Sequence, residues 1–166
     1  MIRLHEGRSD AREVLGLRKA TRTLARQVAR DGAVDAPLAR DALQEAVEAI
    51  LLDAALRGDP FPGPRELGVE VEPYLLGLGD VVGELRRRAL NDLAADRLET
   101  AERWVLLMES LYQTLMRFDT TRAIVPLKPK QDTARSLLEK TRGEVVMARV
   151  HARHRSFPAP DESEGA

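Results

Sequence analysis

The stretch Pro37-Leu-Ala-Arg-Asp41-Ala-Leu-Gln-Glu45-Ala-Val-Glu48-Ala-Ile-Leu-Leu-Asp53-Ala-Ala-Leu-Arg57-Gly58 decides the fold class. It is built from strong helix formers, opens on a proline suited to a first helical turn and closes on a glycine suited to a C-terminal stop. Stepping about 100° per residue puts Leu43, Val47, Ile50, Leu51 and Ala54 on one face and Asp41, Glu45 and Glu48 on the other. Leu38 and Leu52 bracket the acids at nearly the same angle, so the helix is apolar on two sides. Another helix or another subunit is expected to cover it. Carboxylates in such a setting repel one another and lose hydration, so they are expected to share a proton or bind a divalent cation. Oxygen ligands suit magnesium or manganese, and a cation held by two or three carboxylates can activate water against a phosphodiester. A two-glutamate spacing is equally what a solvated helix face looks like, and the spacing alone does not choose between the two.

Outward from this helix the same period recurs. Aromatics make up only 4% of the chain, prolines fall between segments, and no stretch alternates apolar and polar residues long enough to demand a sheet. A first helix is expected from Asp10 to Arg30, capped by Ser9, with Leu17, Ala20, Leu24 and Val28 as its apolar stripe and Asp31-Gly32 as its stop. After Gly58, the run Asp59-Pro-Phe-Pro-Gly-Pro64 is a stiff non-helical loop. A third helix is predicted from Pro73 to Ala95, and its interior glycines Gly77, Gly79 and Gly83, each costing about 1 kcal/mol against alanine, imply close approach of another helix. Asp96-Arg-Leu-Glu99 reads as a capping box for a fourth helix whose Trp104, Leu107, Met108, Leu111, Leu115 and Met116 form a core face up to Phe118. Ala123-Ile-Val-Pro-Leu127 is an apolar loop. Lys128-Pro-Lys130-Gln131 then leads into a last helix carrying Ala134, Leu137, Leu138, Val145 and Val146. The expectation is an all-α, single-domain antiparallel bundle of five to six helices over residues 1–155, with a disordered acidic tail over 156–166.

Composition narrows the chemistry. The chain has 166 residues, 43% of them apolar, which is enough for one sizeable core. The absence of cysteine excludes disulfides, thiolate metal sites and cysteine nucleophiles. No long apolar run suggests a signal peptide or membrane span, and a cytoplasmic location is expected. The three histidines, His5, His151 and His154, follow no glutamate at the spacing a di-iron bundle needs. Lys+Arg 26 against Asp+Glu 27 gives a net charge of −1, so an anionic partner must be met by a local cluster of cations. Arg18, Lys19, Arg22, Arg26 and Arg30 form such a stripe on the first helix, Arg86-Arg-Arg88 a second group, and Lys128, Lys130 and Arg135 a third. Trp104 and Phe118 read as core, which leaves no aromatic platform for stacking bases.

The run Ala42-Leu-Gln-Glu45-Ala-Val-Glu48-Ala49 resembles the Gln-Glu-x-x-Glu-Ala segment of the translin and translin-associated factor X (Trax) family. Tyr74-Leu-Leu-Gly-Leu-Gly-Asp80-Val-Val-Gly-Glu84-Leu-Arg-Arg resembles its Asp-x-x-Gly-Glu-Leu block. Met108-Glu-Ser-Leu-Tyr112, Phe118-Asp119, Ala123-Ile-Val-Pro126 and Lys130-Gln131 through Glu144 resemble the prokaryotic version, in the same order. The likeness extends over roughly residues 38 to 150. It implies a translin-like all-α fold, a hollow homo-oligomer, commonly an octamer, and binding of single-stranded RNA or DNA. Trax-type members are also metal-dependent endoribonucleases, and translin-type members bind without cutting. The resemblance implies that Glu45, Glu48 and Glu99 are the catalytic acids and that these, with Glu102, hold Mg²⁺ or Mn²⁺. A further family acid aligns with Arg103, next to Glu102. Asp80 and Glu84, four apart, are either members of the same acidic cluster or partners of arginines such as Arg87 or Arg88. The family's longer first helix is represented only by Ile2 to Gly7, which resemble its end.

Overall fold

Every regular element among the described residues is helical. In the computed structural model the described residues are 11–31, 36–118 and 127–155, and among them there are six helices and no strand. These are α1 (Ala11–Asp31), α2 (Ala36–Arg57), α3 (Pro64–Leu67), α4 (Val71–Ala94), α5 (Leu98–Met116) and α6 (Lys128–Arg155). The expected cap at Ser9, the stop at Gly32, the apolar segment 123–126 and the acidic tail lie outside the described residues.

The long central helix organises the rest, with α4 packing against α2, α5 and α6, while α1 lies against α2. This answers the two-sided apolarity of α2, which is covered by two other helices of its own chain. Leu43, Val47, Ile50, Leu51 and Ala54 are all buried, and so is Leu52. Leu38 is 70% exposed, so the second apolar side is closed only at its Leu52 end. One continuous core runs from Leu43 through Leu78, Val82, Leu85, Met108 and Leu115 to Leu138 and Val145.

Local chemistry fixes the element ends. Gly58 and Gly68 close α2 and α3 with φ of 72° and 70°, a left-handed conformation that suits residues without a Cβ. α3 starts at Pro64, the last residue of the stiff loop, where the missing N–H of proline removes nothing from a helix start. The end of α4 corrects the expected capping box. Asp96 has φ 55°, and the Arg97 N–H donates to the Asp92 carbonyl at 2.8 Å while the Asp96 N–H donates to the Leu93 carbonyl at 3.1 Å. These two bonds make Asp96 the left-handed residue that terminates α4, so the N-cap of α5 falls on Arg97. The buried Asp92 carboxylate reinforces the corner by accepting from Arg97 Nε at 2.8 Å and Trp104 Nε1 at 2.6 Å.

Three other expectations are revised by packing. On α1 the expected Leu17, Leu24 and Val28 are half-buried, with Leu17 and Leu24 against the core, but Ala20 faces solvent and the buried residues are Val14 and Thr21. Met116, Phe118 and Val146 are exposed rather than core. Gln131, read only as part of a lead-in, is buried, and its Nε2 donates to the Leu115 carbonyl at 2.8 Å, pinning the first turn of α6 to the end of α5.

Candidate metal and nucleic-acid site

The crossing of α2 over α4 is set by a single glycine. A Cβ on Gly77 would lie 2.7 Å from the Gln44 carbonyl oxygen and 3.1 Å from the Glu48 backbone nitrogen, closer than packed atoms tolerate. Only glycine lets the two backbones approach this far. Asp80 and Glu84 follow Gly77 at i+3 and i+7, so they share its face of α4 and are carried up against Glu48.

Glu48 registers that arrangement. Its carboxyl is raised from 4.5 to about 7, first by loss of hydration, then by the negative charges of Asp80 and Glu84; Lys130 opposes the rise and Glu45 adds to it. Asp80 is the best-held member. Gln44 Nε2 of α2 donates to its Oδ2 at 2.6 Å, and the Lys130 ammonium of α6 sits on its Oδ1. Three helices therefore meet on one carboxylate. Glu84 is engaged by Arg87 on its own helix, at 2.5 Å from Nη2. Glu45, one turn before Glu48, is exposed at the rim.

The structure divides the acids named from sequence. Glu45 and Glu48 belong to this cluster, but Glu99 does not figure among the charges acting on Glu48. Glu99 is exposed in the first turn of α5, beside the turn that follows α4. Asp80 is twelve residues earlier on α4 than Asp92, which at 1.5 Å per residue is about 18 Å along the helix from that turn. Glu102 likewise points elsewhere and pairs with Arg149 of α6. Arg103, the departure from the family pattern, donates to Thr100 on the same exposed helix start. The acids that join Glu48 are thus Asp80 and Glu84, of which Glu84 pairs with an arginine as its spacing allowed and Asp80 pairs with a lysine instead.

Among the described residues no three histidine, aspartate or glutamate side chains are drawn into one ligand set as they stand. Gln44 and Lys130 hold Asp80, and Arg87 holds Glu84. The donor chemistry still fits a hard divalent cation. Four carboxylates, Glu45, Glu48, Asp80 and Glu84, face two cations, Lys130 and Arg87, which leaves two negative charges uncompensated when all are ionised. That excess adds to the loss of hydration in raising the proton affinity of Glu48.

The cationic positions also sort themselves. Arg22 of α1 donates through Nη2 to the Glu66 carbonyl at 2.6 Å, and Arg18 lies 3.8 Å from the Glu66 carboxylate, so both tie α1 to α3. Lys19 and Arg26 are exposed. Arg86 reaches across to α6, where it donates to Glu144 at 2.8 and 2.9 Å and to Thr141 at 2.7 Å. Lys128 pairs with Asp132 on an exposed turn, and Lys130 belongs to the acid cluster. A cleft of about 470 Å³ on another face of α4 is lined by Phe61, Tyr74, Leu78 and Phe118, with Phe118 40% exposed. Aromatic surface is therefore present where none was expected, but away from the acids.

Comparison with known proteins agrees with this architecture. The chain is similar to the AfC3PO–duplex RNA complex, with 27% identity and a TM-score of 0.69 over 84% of this chain and 89% of that one. It is also similar to AfC3PO crystallised alone, with 29% identity and a TM-score of 0.63 over 84% and 90% of the two chains. An uncharacterised protein of Methanocaldococcus jannaschii is 43% identical over 104 residues, 62% of this chain and 47% of that protein, so the match spans about half of the relative's length. The sequence pattern of the Translin family matches residues 39–150, from the acid-bearing face of α2 to near the end of α6. With two thirds of its length inside that pattern and its helices in that order, the chain belongs to the translin family.

Proposed function

We propose that the protein is an RNA-binding homo-oligomer that cleaves RNA with Mg²⁺ or Mn²⁺ held by Glu45, Glu48, Asp80 and Glu84. The observation that carries this reading is Glu48, partly stripped of water and within the field of two further carboxylates near the Gly77 crossing. Perturbed acids of this kind cluster at functional sites more than on structural surfaces. A divalent cation bound there would supply Lewis acidity toward a phosphodiester and toward the water that attacks it. The chain's own contribution is placement. Gly77 sets the spacing of the acids, Gln44 orients Asp80, and Glu48 exchanges a proton near neutrality. The family membership supports nucleic-acid binding, and the duplex RNA found with AfC3PO supports RNA as the ligand. Single-stranded RNA is the proposed substrate and single-stranded DNA a further ligand, since cleavage needs an accessible backbone and no base reader stands beside the acids among the described residues. An octamer is the proposed assembly.

Labelled single-stranded RNA incubated with the protein and Mn²⁺ tests the reading. Cleavage is expected from the wild type and is expected to fall at least 100-fold in Glu48→Gln and in Asp80→Asn, by loss of groups acting on the reaction. Equal loss in Glu99→Gln would return Glu99 to the site. RNA binding without cleavage in the wild type would leave a binding oligomer of the translin type, the second reading.

A further inference from the structure

Lys130 is the one ammonium set into the acid cluster, and its place there is built rather than incidental. The neighbouring Gln131 is buried and bonded to the end of α5, which fixes the first turn of α6. The Lys130 stem lies across Gly79 of α4, where a Cβ would come within 3.2 Å of the lysine Cβ and 3.4 Å of its Cδ. A larger residue at position 79 would crowd the stem off this path. The ammonium ends on Asp80 Oδ1, the oxygen that Gln44 leaves open, and opposes the charges that load Glu48.

From this we infer that Lys130 is a resident counter-ion, which a divalent cation must displace from Asp80 in order to bind. The inference rests on the reading of the cluster as a divalent-cation site. A divalent cation and an ammonium on the same carboxylate oxygen stand about 4 Å apart and repel each other strongly at a half-buried site, and the second oxygen of Asp80 already accepts from the Gln44 amide. Cation binding therefore breaks the Lys130 contact. The lysine side chain is partly exposed, at 30%, so a path to water is open. Once released, the ammonium stands at the edge of the acids, where it meets a phosphate rather than a carboxylate. Lys130 acts through Asp80 in the resting protein and is a positioning residue there.

Full-length protein titrated with Mn²⁺ alone, followed by electron paramagnetic resonance of the free ion, separates the claims. The wild type is expected to bind Mn²⁺, Glu48→Gln is expected to bind much more weakly, and Lys130→Met, which keeps the stem over Gly79, is expected to bind about ten-fold more tightly. A role confined to holding three helices together predicts the opposite, a weaker site. A second measurement needs no variant at the metal. The chain has only four lysines, and the ε-carbon signal of Lys130, assigned with Lys130→Arg, is expected to move on addition of Mg²⁺. Binding in Lys130→Met no tighter than wild type, or an unmoved Lys130 signal while Mg²⁺ binds, overturns the displacement and leaves the metal site standing. If wild-type Mn²⁺ binding is absent or indifferent to Glu48→Gln, the metal site fails and the displacement with it.

Discussion

At the scale of single residues, Glu48 links the fold to pH. Its carboxyl titrates near 7 in the folded chain against 4.5 when unfolded, because burial and neighbouring acids favour the proton. Between those values the folded state holds more protons than the unfolded one, so this group lowers stability as pH rises from about 4.5 to 7 and by a constant amount above that. Replacing it by glutamine removes the penalty. Glu48→Gln is expected to be more stable than wild type at pH 8, by about 1 to 2 kcal/mol once solvent screening of a half-exposed group is allowed for, and no more stable below pH 4.5. Urea melts at the two pH values check this, and a gain of equal size at both would show that packing rather than charge is responsible. Millimolar Mg²⁺ at pH 8 is expected to raise the wild-type midpoint and leave that of the variant in place, by preferential binding to the folded state.

At the scale of elements, the glycines of α4 have different tasks, although their sequence signal is the same. At Gly77 an added Cβ meets the backbone of α2, whereas at Gly83 the nearest foreign atom is Leu137 Cδ1 at 3.9 Å, an ordinary contact. Gly77→Ala is therefore expected to destabilise the protein by about 2 kcal/mol, overpacking outweighing the helix-propensity gain, and Gly83→Ala to stabilise it by up to about 1 kcal/mol. Chemical denaturation of the two variants in one buffer decides it, and similar shifts in both would remove Gly77 from the crossing. Gly77→Ala is also expected to bring the Glu48 carboxyl back toward the usual range, read from its carbon chemical shift against pH. This pair shows how much of the fold was legible. Helix periods and proline and glycine stops placed the five long helices within a few residues, because these signals are local. The two glutamates of α2 were visible for the same reason. Asp80 and Glu84 were weighed mainly as partners of arginine because helix crossing is not a local property, and Glu99 entered through the family resemblance alone. Nothing in the spacing of Gly77, Gly79 and Gly83 says which of them touches α2. The Asp96 turn was misread for a related reason: an aspartate before a helix looks like a cap, and only its φ of 55° shows that it ends the helix before.

At the scale of the molecule, charge sets how RNA can be held. A net charge of −1 gives one chain no general attraction for a polyanion, and among the described residues ten of its cations pair with its own acids. Arg18 and Arg22 brace α3, Arg86 locks α4 to α6, and Lys130 neutralises Asp80, which leaves Lys19, Arg26 and Arg30 as the exposed cations of the α1 stripe. Three phosphate contacts contribute a salt slope of only about −2.1 for a single strand, far too shallow for tight binding near physiological salt. Several chains acting on one RNA multiply such contacts without any new chemistry, provided the assembly holds the stripes within reach of one strand. RNA affinity is accordingly expected to be a property of the assembly. Fluorescence anisotropy of a labelled RNA, run beside light scattering on the same dilution series, is expected to show affinity falling where the molar mass falls. Lys19→Glu with Arg26→Glu is expected to weaken binding at least ten-fold for RNAs of unrelated sequence and to flatten the salt dependence, while leaving the Mn²⁺ affinity of the acid cluster unchanged. If the double variant binds RNA as the wild type does, the contact surface lies elsewhere, and the aromatic cleft of Phe61, Tyr74 and Phe118 becomes the next place to substitute.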